Sequence, residues 1–114
     1  MPKISITGRI PSKKNSRITT RSGRSFPSAK YTEWHKDASW QLKNFTEKIN
    51  SDYLELNFYF PDNRRTDLTN KAESVMDLLV DNGFLEDDCW QVIPNLRLQC
   101  KGVDKENPRC EIIW

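Results

Sequence analysis

Residues 54–83, LELNFYFPDNRRTDLTNKAESVMDLLVDNG, contain the change of hydrophobic period that decides the fold. Leu54, Leu56, Phe58 and Phe60 alternate with Glu55, Asn57 and Tyr59, the period of two that marks a strand with one buried face. Pro61, which cannot donate to a ladder, closes it. Past the loop 61–66, Leu68, Ala72, Val75, Met76 and Leu79 recur at spacings of three and four, so the pattern predicts an amphipathic helix over 67–82, stopped by Asn82-Gly83. At about 100° per residue, Asp67, Asn70, Ser74, Asp77 and Asp81 project together away from the apolar stripe.

On the N-terminal side, Ile4, Ile6, Gly8 and Ile10 alternate with Ser5, Thr7 and Arg9, which predicts a strand over 3–10 ended by Pro11. Residues 11–29 are rich in Ser, Thr, Lys and Arg with little to bury, and read as a long, mobile, basic loop within the domain. Tyr31, Trp34, Ala38, Leu42, Phe45 and Ile49 then form one stripe of a helix expected over 30–49. On the C-terminal side the acidic turn Glu86-Asp87-Asp88 precedes a third strand through Val92, Leu96, Leu98 and Cys100, with a bulge expected at Pro94, and a short last strand, 110–114. The order β-α-β-α-β-β, with no internal repeat, predicts one α+β domain over 1–114, its two helices covering one face of a mixed sheet.

A chain of 114 residues is large enough for one core but not two. No run approaches the ~20 apolar residues of a membrane span, and the N-terminus has no signal-peptide core, so a cytoplasmic protein with no membrane partner is expected. Three cysteines without C-x-x-C spacing signal neither a disulfide framework nor a zinc ribbon, and a single histidine, His35, leaves a zinc site or a Ser-His-Asp triad short of parts. Carboxylates must carry any chemistry. The net charge of +2 conceals an asymmetry: residues 1–36 hold nine Lys or Arg against one acid, Glu33, hence +8, and the remaining nine basic residues face fifteen acids, hence −6.

Phosphodiester hydrolysis by protein carboxylates needs a divalent cation held by oxygen ligands. Asp67, at a helix start, and Asp87-Asp88, before the next strand, are expected to meet at one sheet edge, with Glu73 and Asp77 reaching the same cleft from the helix. A plainer alternative stands beside this: an Asp at a helix start caps free amides, an Asp in a turn bonds its own backbone, and Asp77 and Asp81 suit a wet helix face. In the basic loop Lys13, Lys14, Arg17, Arg21 and Arg24 offer charge to phosphates, and Arg64 and Arg65 add more beside Asp67.

The run Phe60-Pro61-Asp62-Asn63-Arg64-Arg65-Thr66-Asp67-Leu68-Thr69-Asn70, then Met76-Asp77-Leu78-Leu79, Asn82-Gly83-Phe84 and Glu86-Asp87-Asp88, resembles the RusA family of Holliday-junction resolvases in order and spacing over about residues 58–101. Pro11-Ser12-Lys13-Lys14-Asn15 is similar to the family's segment after the first strand, which adds Asn15 to the DNA-binding candidates. The resemblance implies a homodimer that nicks four-way DNA junctions in pairs, using Mg²⁺ or Mn²⁺ in its place and no small-molecule cofactor. It implies a bacterial or prophage setting and roles in recombination and repair. By the same resemblance Asp67 and Asp88 are metal ligands and Asp87 a ligand or orienter. The chain departs from the pattern twice: Thr69 stands where the family often has Asp, and Glu73 stands where some members have a catalytic lysine, with Lys71 two residues earlier as a DNA-binding candidate. Asn70, Glu73 or Asp77 is expected to supply the lost ligand, Glu73 being chemically the most suitable.

Two other readings follow from the residues. In one the chain is a non-catalytic module for branched DNA, its basic loop binding and its acids only capping and solubilising. In the other it is an assembly protein using Trp34, Trp40, Trp90 and Trp114, although four tryptophans in a small chain usually mean core.

Overall fold

The computed structural model describes residues 3–12, 17–19, 21–23 and 25–114. In chain order they form β1 (Ile4–Thr7), β2 (Arg17–Thr19), β3 (Ser25–Pro27), α1 (Ala29–Leu42), β4 (Tyr53–Phe60), α2 (Leu68–Asp81), β5 (Asn95–Val103) and β6 (Arg109–Ile113). Four strands make one sheet in the order β1-β6-β4-β5, parallel only between β4 and β5, so the sheet is mixed. The register aligns Ile4 with Ile112, Leu56 with both Ile112 and Leu98, and Phe58 with both Cys110 and Cys100. Residues of one face therefore meet in rows. That face carries the core, where Ile4, Ile6, Leu54, Leu56, Phe58 and Ile112 are closed off by Leu42 of α1 and Val75, Leu78 and Leu79 of α2. The opposite face is polar and half-open: Gln99 donates to the buried Asn57, 2.6 Å, and Asn57 donates to Glu55, 2.8 Å.

Several expectations need correction. The 11–29 segment is not a plain loop, since β2 and β3 pair antiparallel, Ile18 opposite Phe26, across a turn containing Gly23 at φ +82°. Ile18-Thr19 and Ser25-Phe26 flanking Arg21-Ser22-Gly23 are a hairpin signal that the surrounding positive charge obscures. The first helix ends at Leu42 rather than 49, with the Lys43 amide bonding to Trp40 and Gln41 carbonyls. Phe45 and Ile49 still pack on the core, but from a non-helical segment whose Ile49 amide donates to the Phe84 carbonyl, 2.9 Å. Tertiary contact there outweighs helical periodicity. The third strand starts at Asn95, after Pro94. Its irregularity lies where Phe58 pairs with Cys100 but Tyr59 with Gly102, an extra residue accommodated by Gly102 at φ +141°. Trp34 is buried, but Trp40 and Trp90 are 68% and 73% exposed, so the tryptophans are not all core.

Among the described residues no helix is long and apolar enough to cross a membrane. The two helices are tied together by His35 Nε2 with Asp81, 2.9 Å, and by Asn82 donating to Ser39, 3.0 Å. Asp81 is thus an interhelical hydrogen-bond partner rather than a merely wet residue. Ser74 also departs from the expected polar face. It is fully buried, and its hydroxyl donates to the Pro11 carbonyl at 2.7 Å. Lys71 donates to the adjacent Ile10 carbonyl, 2.5 Å, so α2 fastens the root of the basic segment. Its other end is secured where Ser28 caps α1 by accepting from the Tyr31 amide, 3.2 Å.

Candidate active site

The parallel pairing of β4 with β5 places the chain leaving β4 and the chain entering β5 at opposite ends of the sheet. Asp67 follows the first and Asp88 precedes the second, so their approach depends on the segment joining α2 to β5. That segment brings Asp88 alongside α2, where it lines a shallow cleft with Thr69, Ala72, Glu73, Met76, Leu96 and Leu98. Two carboxylates, Glu73 and Asp88, and the Thr69 side chain thus face one hollow with an apolar floor. Thr69 and Glu73, four residues apart, lie one turn from each other on the same side of α2.

Asp67 lines the neighbouring hollow with Ser12, Arg65, Thr66 and Asn70. It occupies the N-cap position of α2, yet its side chain makes no cap hydrogen bond. Its carboxylate instead accepts from the side-chain Nδ2 of Asn70, 3.2 Å. The capping explanation for an acid at this position is therefore not realised. Asp87 behaves in the opposite way: its Oδ1 accepts from the Asp88 amide, 2.8 Å, the self-bonded turn that the plainer alternative describes. Asp88 is exposed and lines the cleft.

Asp77 is half-buried one turn beyond Glu73 on α2 and lines neither hollow. It helps hold the buried Tyr31 phenol up at about 12, chiefly an effect of burial, with Asp77, Asp81 and Glu73 adding repulsion against the phenolate. Lys71 points away from the Glu73–Asp88 cleft into a cavity beside the β4 end. Burial, reinforced by the positive charges of Arg9 and Lys30, draws its ammonium below the ordinary lysine range.

Of the expected DNA contacts, Arg64 and Arg65 are exposed near Asp67, Arg17 begins β2, and Arg21 is exposed in the turn after it. Lys13, Lys14, Asn15 and Arg24 lie outside the described residues. Among the described residues no group of three or more His, Cys, Asp or Glu side chains is close enough to hold a metal ion together. Glu73 and Asp88 do fit a hard cation that keeps most of its waters, since Mg²⁺ needs only one or two protein carboxylates. What the sequence did not mark is Arg9, which reaches the loop before α2 by donating to Asp62, 2.6 Å.

A basic segment rooted on the helix that carries exposed carboxylates suits cleavage of a polyanion. The family model described as endodeoxyribonuclease RusA matches residues 8–113. The chain belongs to the RusA endodeoxyribonuclease family. No curated protein matches it. Membership makes the chain an endonuclease of Holliday-junction resolvase type, a hydrolase of DNA phosphodiester bonds acting on branched DNA. Nucleases of this resolvase type are generally metal-dependent, which accords with exposed carboxylates at Asp67, Glu73 and Asp88 rather than a triad built on His35.

Proposed function

We propose that this RusA-family chain is a Mg²⁺-dependent, structure-selective nuclease that resolves four-way junctions by paired symmetric nicks in recombination and repair. It would act in the cytoplasm of a bacterium, encoded by the host or a prophage. The observation that carries the reading is the pairing of Glu73 with Asp88 around one cleft, one helical turn from the Thr69 position where an acid is missing. Thr69 and Glu73 amount to a carboxylate moved one turn along the same helix side. Glu73 and Asp88 would hold the ion, with Asp67 and Asn70 at the adjoining hollow as further oxygen ligands. Asp87, occupied by the Asp88 amide, would orient rather than ligate.

A divalent ion bound there, Mg²⁺ or Mn²⁺, would activate water and neutralise charge developing on the scissile phosphate. Arg64 and Arg65 would draw the phosphate to the helix start, and the basic segment would grip the junction arms through charge. Two symmetric nicks call for two sites related by a two-fold axis, hence a homodimer. The nine-residue edge strand β5, with Leu96 and Val103 44% and 50% exposed, supports a second copy docking on that edge, which isolated domains normally protect.

The test is cleavage of a labelled four-way junction against linear duplex, with Mg²⁺ or EDTA, by the native chain and by Asp67→Asn, Glu73→Gln and Asp88→Asn. Paired nicks should require the metal, and each variant should lose about a hundredfold or more in rate while still binding junctions. Junction binding without cleavage in either Mg²⁺ or Mn²⁺ would replace the enzyme with the non-catalytic binding module. Undiminished cleavage by Glu73→Gln would remove Glu73 from the site.

A further inference from the structure

A cavity of about 200 Å³ lies beyond the proposed cleavage site, between the ends of β1 and β4, the 61–66 loop and the start of β6. Arg9, Arg64, Arg65, Lys71 and Arg109 line it, with a single acid, Asp62. That acid is already engaged, accepting from the Arg9 guanidinium at 2.6 Å and from the Arg64 amide at 3.0 Å. Arg9, Arg64, Arg65 and Lys71 outnumber it, so this part of the wall carries a net positive charge. The lining also includes an aromatic platform, with the Arg109 guanidinium 3.7 Å from the Tyr59 ring centroid. Two ion pairs, to Asp104 at 2.8 Å and Glu111 at 3.2 Å, hold Arg109 there.

Cationic groups together with a stacked guanidinium–phenol pair describe a particular ligand. A phosphate suits the Arg9–Lys71 side, and a flat heterocycle suits the Tyr59–Arg109 platform. Lys71 stands half-buried in the cavity wall, its ammonium held by the Ile10 carbonyl at 2.5 Å. The cavity and the Asp67 hollow share Arg65 and Thr66 as a common wall, so one strand can occupy both. We propose that this cavity binds one unstacked nucleotide of the DNA strand adjacent to the scissile phosphate, with its phosphate toward Arg9 and Lys71 and its base against Tyr59 and Arg109.

The position next to the scissile phosphate rests on the proposed cleavage site, but nucleotide binding itself does not, and the experiment separates them. Calorimetry in EDTA, where no cleavage occurs, would measure the full chain binding inorganic phosphate, dAMP and a ten-nucleotide thymidine strand. The variants are Tyr59→Leu, Lys71→Gln and Arg9→Gln, with Lys105→Gln as an exposed control.

Tyr59→Leu should weaken the oligonucleotide on the order of tenfold and leave phosphate unchanged, because only stacking is lost. Lys71→Gln and Arg9→Gln should weaken both, and Lys105→Gln neither. Arg9 is exposed enough to be replaced without loss of fold, so its result stands even if Lys71→Gln is unstable. Oligonucleotide binding well above dAMP supports a strand nucleotide, whereas equal affinities overturn that source in favour of free nucleotides. Affinities within twofold of native for Tyr59→Leu and Arg9→Gln overturn the site. If junctions are never cut but this pattern holds, the cleavage reading fails and the nucleotide cavity stands.

Discussion

Replacing Ser74 by Ala removes one oxygen from the middle of α2 and should cost far more than its size suggests. The side chain is 0% exposed, and its hydroxyl donates to the Pro11 carbonyl at 2.7 Å. Pro11 is itself buried, so water cannot readily replace the lost donor. An acceptor left unsatisfied in such a place costs about 1–3 kcal/mol, whereas the small void and the slightly better helix propensity of Ala roughly offset each other. Taking about 2 kcal/mol, a chain of this size should lose roughly 6–12 °C in Tm. Calorimetric or circular-dichroism melting reads this directly. The variant should also bind a four-way junction a few-fold more weakly, because the root of the basic segment is looser. The slope of log affinity against log salt should not change, since no phosphate contact is removed. A Tm within about 2 °C of native would show that the Pro11 carbonyl finds another partner, and would refute the claim that Ser74 anchors the segment.

Three further outcomes follow from individual groups. Tyr31 ionises near pH 10 when unfolded but is pushed up to about 12 when folded, so native stability should be intact below about pH 10 and fall by about 2–3 kcal/mol toward pH 12. Tyr31→Phe should flatten that decline, and an unaltered slope in urea titrations between these pH values would contradict the assignment. Gly83 sits at φ +74° after α2, with an added Cβ meeting the flexible Lys48 ammonium at 3.2 Å, so Gly83→Ala should destabilise by about 1–2 kcal/mol through backbone strain. A loss under about 0.5 kcal/mol in chemical denaturation would sink that explanation. Asp67→Ala should leave the melting temperature within about 2 °C of native, because the carboxylate caps no helix amide. A large drop would restore the capping role.

The basic segment shows how charge can hide local structure in a sequence. Nine Lys or Arg before residue 37 describe a surface that binds anions, but composition is silent on pairing, and the β2–β3 hairpin within it depends on a glycine turn and a few β-forming residues. Phe45 and Ile49 illustrate the reverse error. Their spacing continues the stripe of α1 and their burial is real, yet the backbone has left the helix because the Ile49 amide is claimed by Phe84. Apolar spacing identifies what is buried more securely than it identifies the conformation that buries it.

For the candidate site, residue types and neighbourhood were legible, while the partnership among carboxylates was not. Helical spacing alone put Ser74 with Asp67 and Asp77 on a polar face, but packing against Pro11 turned it inward. Asp67 and Asp87 look equally suited to turns in the sequence, and only their hydrogen bonds separate them.

By itself the sequence determined the strand–helix alternation around residues 54–83, the identity of the sheet's buried face and the charge of the N-terminal segment, because each depends on local periodicity or composition. Tertiary structure alone decided that Asp67, expected in one cleft with Glu73 and Asp88, lines a separate hollow. It also gathered Arg9, Lys71 and Arg109 around one cavity. Both arrangements involve residues far apart in sequence, and they arise from the parallel pairing of β4 with β5 and the return of the intervening chain along α2, which no local pattern encodes.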